Sequence, residues 1–296
     1  MLLHHSVSKR SLGFKRFHGA SGQHHKARSE HHGQQQLHTQ TYNSQRLPDR
    51  SQMSVVFSEL ISDGLGSAAA EIYAEHGITC VRGLIPADEI ATIRKEFTDH
   101  VESHENLVWK IYDRVVDENI APDDILKRYP RYSMPHRHLD MVAGQLARRY
   151  ITDPRIFDIA ENLIGATWAA QSMFYFKPPT ARGQALHQDN FFLQAHPETC
   201  LAAWVAVDDA DAENGALQVV PGSHQYDIAC PEDADPKLSF SAQGLRIPTS
   251  FNRVQSEMKA GDVLFFHGSL IHGSLPNTSK DRFRRVSQDP MRLVSN

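Results

Sequence analysis

The residues whose types and spacing could bind a metal are His187 and Asp189, which lie two positions apart in the segment ALHQDNFF. On a β-strand, residues two apart project from the same face, so both side chains could reach one ion. An imidazole nitrogen and a carboxylate oxygen suit Fe(II), and a second histidine would complete a 2-His-1-carboxylate facial triad with open coordination positions. Because most isolated His-x-Asp triplets are surface or capping residues, the hypothesis depends on a third ligand.

That third ligand is expected from a later strand, and GDVLFFHGSLIHGSLPNTS offers His267 and His272. These histidines are five residues apart, so on one continuous strand they would face opposite sides, and only one could bind the metal. We predict His272, because Gly273 and Ser274 follow it in a tight segment where the hydroxyl could help hold a carboxylate. His267 is expected to pack or to form hydrogen bonds.

The open coordination positions could accept an oxoacid co-substrate, and the distal carboxylate of such an oxoacid needs a cationic anchor. The segment DRFRR supplies Arg282, Arg284 and Arg285. Arginine suits this task because its planar, permanently charged guanidinium binds a carboxylate through two hydrogen bonds. On one strand Arg282 and Arg284 would share a face, and Arg285 would take the other. We expect two of the three arginines to be exposed to solvent at a basic edge of the sheet.

Before this region the pattern predicts helices and one strand. Residues 77–85 resemble a short strand, residues 86–104 a helix with a proline near its first turn, and residues 153–165 a second helix ended by Gly165. The first helix has one apolar face, formed by Ile90, Ile93, Phe97 and Val101.

From about residue 167 the sequence changes to short apolar runs separated by Gly, Pro and Asn. The runs are TWAAQSMFYFK, CLAAWVAVDD, GALQVVPG and GDVLFFHGS. Short strands with turn signals between them predict an all-β sandwich or barrel, and the lack of βαβ alternation argues against a doubly wound sheet. We therefore predict a mainly β protein with a helical N-terminal layer packed on the β core.

Composition narrows the class of protein. With 296 residues, 40% of them hydrophobic and 22% charged, the chain can form a substantial core. No apolar run approaches the length needed to span a bilayer, so no membrane span is predicted. Cys80, Cys200 and Cys230 are an odd number at wide spacing, which indicates idle thiols in a reducing compartment.

Residues 1–52 are predicted to be a disordered, basic, His/Gln-rich tail, followed by a domain at 53–296. The tail has eight Lys/Arg, two acids and eight of the 18 histidines, so the rest of the chain has an excess of about ten acids. A body this acidic is not expected to bind nucleic acid. The tail is either an organellar transit peptide or a segment added by a start codon upstream of Met53. We expect a cytoplasmic protein, or a mitochondrial one if the tail is a transit peptide.

Several segments, in order, resemble the phytanoyl-CoA dioxygenase family of iron- and 2-oxoglutarate-dependent oxygenases. They are MFYFKPP (173–179), ALHQDNFF (185–192), AAWVAVDD (202–209), ENGALQVVPGSH (213–224), AGDVLFFHGSLIHGSLPN (260–277) and RFRR (282–285). The resemblance covers about residues 77–285, some two-thirds of the chain. It implies a double-stranded β-helix, or jelly-roll, core.

The resemblance also implies site residues. His187, Asp189 and His272 would bind Fe(II), and Arg284, assisted by Ser274, would pair with the distal carboxylate of 2-oxoglutarate.

Three further residues are implied to lie near the co-substrate. Met173 and Trp204 would line its pocket, and Gln188 would lie beside the metal; without the family, core packing would be the better interpretation of Met173 and Trp204.

The chemistry implied is hydroxylation of a small-molecule substrate with O₂ and 2-oxoglutarate as co-substrates. Related halogenases have a small residue in place of the carboxylate ligand, so Asp189 favours hydroxylation. The substrate is expected to be lipophilic, acyl-CoA-like or a secondary metabolite. The oligomeric state is not predicted.

The chain departs from the family in two places. The spacing of twelve residues from His272 to Arg284 is one longer than is common, so Arg282 is an alternative anchor. After RFRR the chain reads VSQDPMRLVSN, where the family usually continues with an apolar strand. Loss of a strand here would expose a sheet edge beside the anchor. The alternative hypothesis is therefore a non-catalytic jelly-roll protein that binds a metal or ligand.

Overall fold

The computed structural model of the chain describes residues 54–103, 124–194 and 200–293. The predicted tail, residues 1–52, lies outside the described residues. Within them, no helix is both long enough and apolar enough to cross a membrane. Cys80 and Cys200 are buried, Cys230 is exposed, and all three are free thiols.

The helices lie mainly in the N-terminal half of the described chain. They are α1 (Gly66–His76), α2 (Ala87–Ser103), α3 (Ile125–Arg128), α4 (Val142–Tyr150), α5 (Pro154–Ile164) and α6 (Asp189–Leu193), with 3₁₀ turns at Phe57–Leu60, Pro135–Arg137 and Ser223–Gln225. Both predicted long helices are confirmed. The four apolar residues of the α2 face are all buried, and Gly165 caps α5 with a φ of 82°.

The described strands are short. They are β1 (Ile61–Ser62), β2 (Ile78–Val81), β3 (Tyr132–Ser133), β4 (Thr167–Ala169), β5 (Met173–Tyr175), β6 (Gln184–His187), β7 (Cys200–Ala206), β8 (Leu217–Val219), β9 (Glu232–Asp233), β10 (Gln243–Gly244), β11 (Val254–Gln255), β12 (Val263–His267), β13 (His272–Ser274) and β14 (Val286–Leu293).

Two sheets form the β core. The larger has the strand order β1-β2-β12-β7-β14-β5-β3, with β4 also paired to β14, and the smaller has the order β11-β8-β13-β6. Most pairs are antiparallel; β1 and β2 are parallel. A separate hairpin joins β9 and β10.

Alternating side chains of β7 show how the layers pack, because neighbouring residues of a strand face opposite sides of the sheet. Ala203 and Val205 belong to the apolar cluster that includes the buried faces of α2, α4 and α5. Ala202 and Trp204 belong to a second cluster, which includes Leu217 and other residues of the smaller sheet. The larger sheet thus has helices on one face and the smaller sheet on the other, and the predicted mainly β fold with a helical layer is confirmed.

The prediction that the chain lacks a C-terminal strand is wrong. Val286–Leu293 forms β14, which pairs with β7 over seven residues and with β5 and β4 on its other side. Pro290 lies between the residues that pair with β5 and those that pair with β4, where a nitrogen without a hydrogen is tolerated. The C-terminal sequence is divergent, but the loss of a strand that would favour a non-catalytic protein does not occur.

One carboxylate joins three helices of the N-terminal layer. Glu89 of α2 accepts hydrogen bonds from Arg155 of α5 at 2.9 and 3.1 Å and from the Tyr150 hydroxyl of α4 at 2.6 Å. The hydrogen bonds from Arg155 and then from Tyr150 lower the pKa of Glu89 to about 2. Because the folded state favours the ionised form, Glu89 stabilises the fold above its ordinary pKa of 4.5, and this contribution is lost as the pH falls toward 2.

We expect Glu89→Gln to lower the free energy of unfolding at pH 7 by about 1–3 kcal/mol, since hydrogen bonds to a charged group are lost. The variant should also lose less stability than the parent between pH 4.5 and pH 3. Urea unfolding at both pH values measures the difference. Glu96→Gln is the control, because Glu96 pairs with an exposed lysine of the same helix and should change little. Equal losses in both variants would contradict the prediction.

Candidate functional site

The structure brings His187, Asp189 and His272 together, with their ligand atoms within 4.8 Å of one another. His187 ends β6 and His272 begins β13, and these two residues face each other across the antiparallel pair. Asp189 is the first residue of α6 rather than part of a strand. The prediction that the His-x-Asp pair shares a strand face is therefore wrong, since the chain leaves the strand after His187 and turns back toward the site.

A glycine allows β6 to enter this site so close to β13. A Cβ atom at Gly183, directly before β6, would overlap the carbonyl oxygen of Ser274. Only glycine fits this close approach of two backbones.

Both histidines present the same nitrogen to the centre. The Nδ1 atoms of His187 and His272 lie 2.9 Å from the carbonyl oxygens of Ala185 and Leu270, and a carbonyl can only accept, so each Nδ1 donates. The Nε2 atoms are left as bases, 3.4 and 3.7 Å from Oδ1 of Asp189. Backbone partners of this kind fix the tautomer and ring orientation of metal-binding histidines.

The electrostatics of the cluster also suit a cation. Burial, and then the charge of His187, lower the pKa of His272 to about 4, so its imidazole is neutral at pH 7. Burial alone would raise the pKa of Asp189, but the neighbouring His272 and His187 and the charge of Arg131 outweigh it, and the pKa lies below its usual value. Two imidazole nitrogens and one carboxylate form a donor set that fits Fe(II).

His267 lies outside this cluster. It ends β12, while His272 begins β13, so the two histidines are not on one continuous strand. The Nδ1 atom of His267 accepts a hydrogen bond from the backbone of Ser269 at 3.0 Å, and its ring lies 5.4 Å from that of His224. It packs and forms hydrogen bonds, as predicted for the histidine outside the metal cluster.

An inner pocket opens from the metal cluster between the two sheets. Its lining includes Leu126, Tyr175, Phe176, Lys177, Arg182, Gln184, Trp204, Leu217, Phe240, Phe266, Ser274, Arg284 and Gln288. Arg284 is 6% exposed, its guanidinium carbon lies 5.4 Å from the centroid of the Trp204 ring, and its Nε donates to the carbonyl of Gly215 at 3.3 Å. Burial lowers the pKa of Arg284 to about 10. Within the described part of the chain Arg284 forms no ion pair, so the pocket holds a cation that an anion could match.

The other two arginines of RFRR are engaged elsewhere. Arg282 pairs with Asp211 and Glu213, each at 2.7 Å, near the surface. Arg285 pairs with Asp208 at 2.7 Å. The prediction that Arg282 and Arg284 share a face is wrong, because these residues precede β14, and of the three only Arg284 lines the inner pocket.

Lys177 is a pocket residue that sequence reasoning missed. Its side chain is buried, and its Nζ lies 2.7 Å from Ser274 Oγ, 2.7 Å from the carbonyl of Leu275 and 3.3 Å from that of Gly215. In the sequence it is a lysine directly after the apolar run MFYF, a position where lysine is more often exposed.

The remaining predicted site residues are divided between pocket and scaffold. Trp204 and Ser274 line the inner pocket, and Met173 lines an outer cavity. Gln188 lines neither cavity; its amide donates to Ser269 and accepts from the backbone of Ala229, which holds the turn after β6. This placement does not support a role for Gln188 in cofactor binding.

The outer cavity lies on the other side of the metal cluster and has a volume of about 440 Å³. It shares Tyr175, Gln184, His187, Asp189 and Phe240 with the inner pocket. Its other walls combine aromatic and apolar side chains with amides, hydroxyls and one arginine: Arg131, Ser133, Gln171, Met173, Phe192, Leu193, Ser241, Ala242 and Gln243. The cluster therefore stands at the junction of two cavities.

Known proteins match this chain over most of the described region. The family model for phytanoyl-CoA dioxygenase (PhyH) matches residues 73–286. Phytanoyl-CoA dioxygenase 1 of Oryza sativa subsp. japonica is 35% identical over 113 residues, 37% of this chain and 39% of the rice protein. The peroxisomal phytanoyl-CoA dioxygenase of Mus musculus is 28% identical over 239 residues, 73% of this chain and 65% of the mouse protein. The chain thus spans about two fifths of the length of the rice relative.

Solved structures show the same fold. The epimerase SnoN in complex with Fe3+, alpha ketoglutarate and nogalamycin RO has a TM-score of 0.58 at 22% identity, covering 80% of this chain and 83% of that chain. EctD from S. alaskensis with bound Fe has a TM-score of 0.60 at 21% identity, covering 79% and 78%. At these identities the likeness shows the fold alone, which confirms the predicted jelly-roll core. Since the family model covers well over half of the sequence, the chain belongs to the phytanoyl-CoA dioxygenase family of iron- and 2-oxoglutarate-dependent oxygenases.

Proposed function

We propose that residues 53–296 form an Fe(II)- and 2-oxoglutarate-dependent dioxygenase that hydroxylates a small molecule. The observation that carries this proposal is the position of His187, Asp189 and His272 where the two cavities meet. A co-substrate in the inner pocket and a substrate in the outer cavity would both reach an ion held by these three residues.

Three residues of the chain would bind the iron. The Nε2 atoms of His187 and His272 and the carboxylate of Asp189 would hold Fe(II), each histidine being kept in the required tautomer by a backbone carbonyl. When bound, the iron with 2-oxoglutarate and O₂ supplies the oxidation, in which substrate, 2-oxoglutarate and O₂ give hydroxylated substrate, succinate and CO₂. Because Asp189 occupies the carboxylate position, we propose hydroxylation rather than halogenation.

The inner pocket would orient the co-substrate. Arg284 would pair with the distal carboxylate of 2-oxoglutarate, and Ser274 would donate a hydrogen bond to it. Trp204 and Phe266, both buried, would exclude water from this carboxylate, which strengthens its attraction to the guanidinium. Met173, which the resemblance implies for the co-substrate pocket, would instead contact the substrate, because its side chain lines the outer cavity.

The outer cavity supports a small substrate with both apolar and polar parts. Its volume of about 440 Å³ lies in the range of pockets that enclose drug-sized ligands. Phe192, Leu193 and Phe240 would contact carbon skeleton, and Gln171 and Gln243 would bind polar substituents. We propose a lipophilic or secondary-metabolite substrate, or the acyl end of an acyl-CoA whose remaining part lies outside the cavity.

The test uses the full chain, reconstituted with Fe(II) without oxygen and titrated with 2-oxoglutarate before O₂ is admitted. We expect 2-oxoglutarate to raise the melting temperature of the iron-loaded protein, and succinate to form slowly even without substrate. Samples without 2-oxoglutarate, or with Zn(II) in place of Fe(II), serve as controls and should give no succinate. Failure of Fe(II) and 2-oxoglutarate to bind together, with no succinate formed, would overturn the proposal.

A further inference from the structure

Lys177 and Arg284 place two cationic side chains in the same buried pocket. Both are less than a tenth exposed, and neither forms an ion pair with a carboxylate in the part of the chain that the structure describes. Burial, and then the charge of Arg284, hold the pKa of Lys177 well below its ordinary value, which shows how unfavourable this pairing is without an anion. Two buried basic side chains without a carboxylate partner favour a ligand with a full negative charge at this point, because such a ligand would offset the cost of protonating both.

The hydrogen bonds of Lys177 define what it can do. Its Nζ lies within hydrogen-bond distance of Ser274 Oγ and of the carbonyl oxygens of Leu275 and Gly215. An ammonium group has three N–H donors, and each has an acceptor here. Lys177 therefore has no donor left for a ligand and would act through Ser274.

The hydroxyl of Ser274 receives two donors. Lys177 Nζ lies 2.7 Å from its oxygen and the backbone N of Gln184 lies 3.3 Å away. An ammonium and a backbone N–H can only donate, so both lone pairs of Oγ are used as acceptors. The hydroxyl hydrogen must then point away from both donors, and Ser274 lines the inner pocket beside Arg284.

We infer that Lys177 is a positioning residue that turns the Ser274 hydroxyl toward the distal carboxylate of the co-substrate and, with Arg284, makes the pocket select oxoacids that carry a second carboxylate. This inference rests on the proposed function. The dianion would offset the repulsion between the two cations and would keep Lys177 in its ammonium form.

The experiment compares 2-oxoglutarate with 2-oxopentanoate, which has the same carbon chain and 2-oxo acid group but no distal carboxylate. Calorimetric titration of the Mn(II)-loaded protein without oxygen gives the two dissociation constants, and their ratio measures selectivity without turnover. We expect Lys177→Met to reduce this ratio about tenfold or more, since a hydrogen bond to a charged group and a nearby charge are lost. A merely structural role would weaken both oxoacids equally and leave the ratio unchanged, which would overturn the inference.

Two further variants test whether Lys177 acts on the ligand through Ser274. If Lys177 acts through Ser274, then Lys177→Met should change the ratio less in a Ser274→Ala background than in the parent. Fully additive effects would contradict the positioning role. Lys177→Gln, whose amide can still donate to Ser274, should keep part of the selectivity and replaces Lys177→Met if that variant does not fold.

Lys259→Met is the matched control, because Lys259 is an exposed lysine paired with Asp209 outside both cavities. It should leave the ratio unchanged. If the parent protein itself binds neither oxoacid, the proposed function fails. If the parent prefers 2-oxoglutarate and Lys177→Met keeps the same preference, only this inference fails.

Discussion

Asp189→Ala is expected to abolish hydroxylation and succinate formation while leaving the fold intact. Its carboxylate is the anionic member of the metal cluster, 3.4 and 3.7 Å from the Nε2 atoms of His187 and His272. Without it, two imidazoles remain, and they offer Fe(II) neither a negative charge nor a third donor. Since changes to partners of metal ligands already cost 10- to 100-fold in many sites, loss of a ligand is expected to cost on the order of a thousandfold or more.

The measurement is iron content after desalting, together with the rate of succinate formation. Asp99→Ala is the control, because Asp99 is an exposed carboxylate paired with Lys95 on the surface of α2. It should bind iron and turn over like the parent protein. A variant Asp189→Ala that retains one iron per chain and parental turnover would show that this carboxylate is not a ligand.

Asp189 also shows which features of the site could be predicted from the sequence and which could not. Residue type and spacing selected the two residues that the structure brings together, but the reason given, a shared strand face, was wrong. The chain turns out of β6 at Gln188 and begins α6 at Asp189, so the two ligand atoms meet across a turn. A triplet does not encode where a strand ends, because that depends on the loops that hold the turn, here through Gln188.

The fold was predictable where one face of an element is buried. The α2 helix repeats its apolar residues at helical spacing, and the structure buries all four. The C-terminal segment VSQDPMRL has no such pattern, and it was expected not to form a strand. It becomes β14 because it fills a position with partners on both sides, and pairing of this kind outweighs intrinsic propensity.

The burial of Lys177 could not be predicted from the sequence. Lysine is almost never fully buried unless its charge is matched, so a lysine beside an apolar run is expected to end the strand at the surface. Here three oxygen acceptors and a pocket suited to an anion keep it inside. Those acceptors come from segments about 40 and 100 residues away, which no local pattern reveals.

Arg284→Met is expected to weaken 2-oxoglutarate binding roughly 10- to 150-fold, the loss that corresponds to removing hydrogen bonds between charged groups. The side chain is buried against Trp204, and its guanidinium has no carboxylate partner within the described residues. For the same reason, replacing it with an apolar side chain of similar length should not destabilise the protein without ligand, and stability there should stay equal or rise. At the same 2-oxoglutarate concentration the gain in melting temperature should be smaller than in the parent, since ligand stabilisation of the folded state grows with the logarithm of the ligand concentration divided by Kd.

Arg282→Met is the matched control and tests the alternative anchor left open by the spacing to His272. Arg282 pairs with Asp211 and Glu213 near the surface, outside the inner pocket. Its loss should lower stability by at most about 1 kcal/mol and leave the dissociation constant for 2-oxoglutarate unchanged. Titration calorimetry of both Mn(II)-loaded variants decides between the two arginines. A large loss of affinity in Arg282→Met with parental affinity in Arg284→Met would move the anchor to Arg282, and with it the carboxylate-binding end of the site.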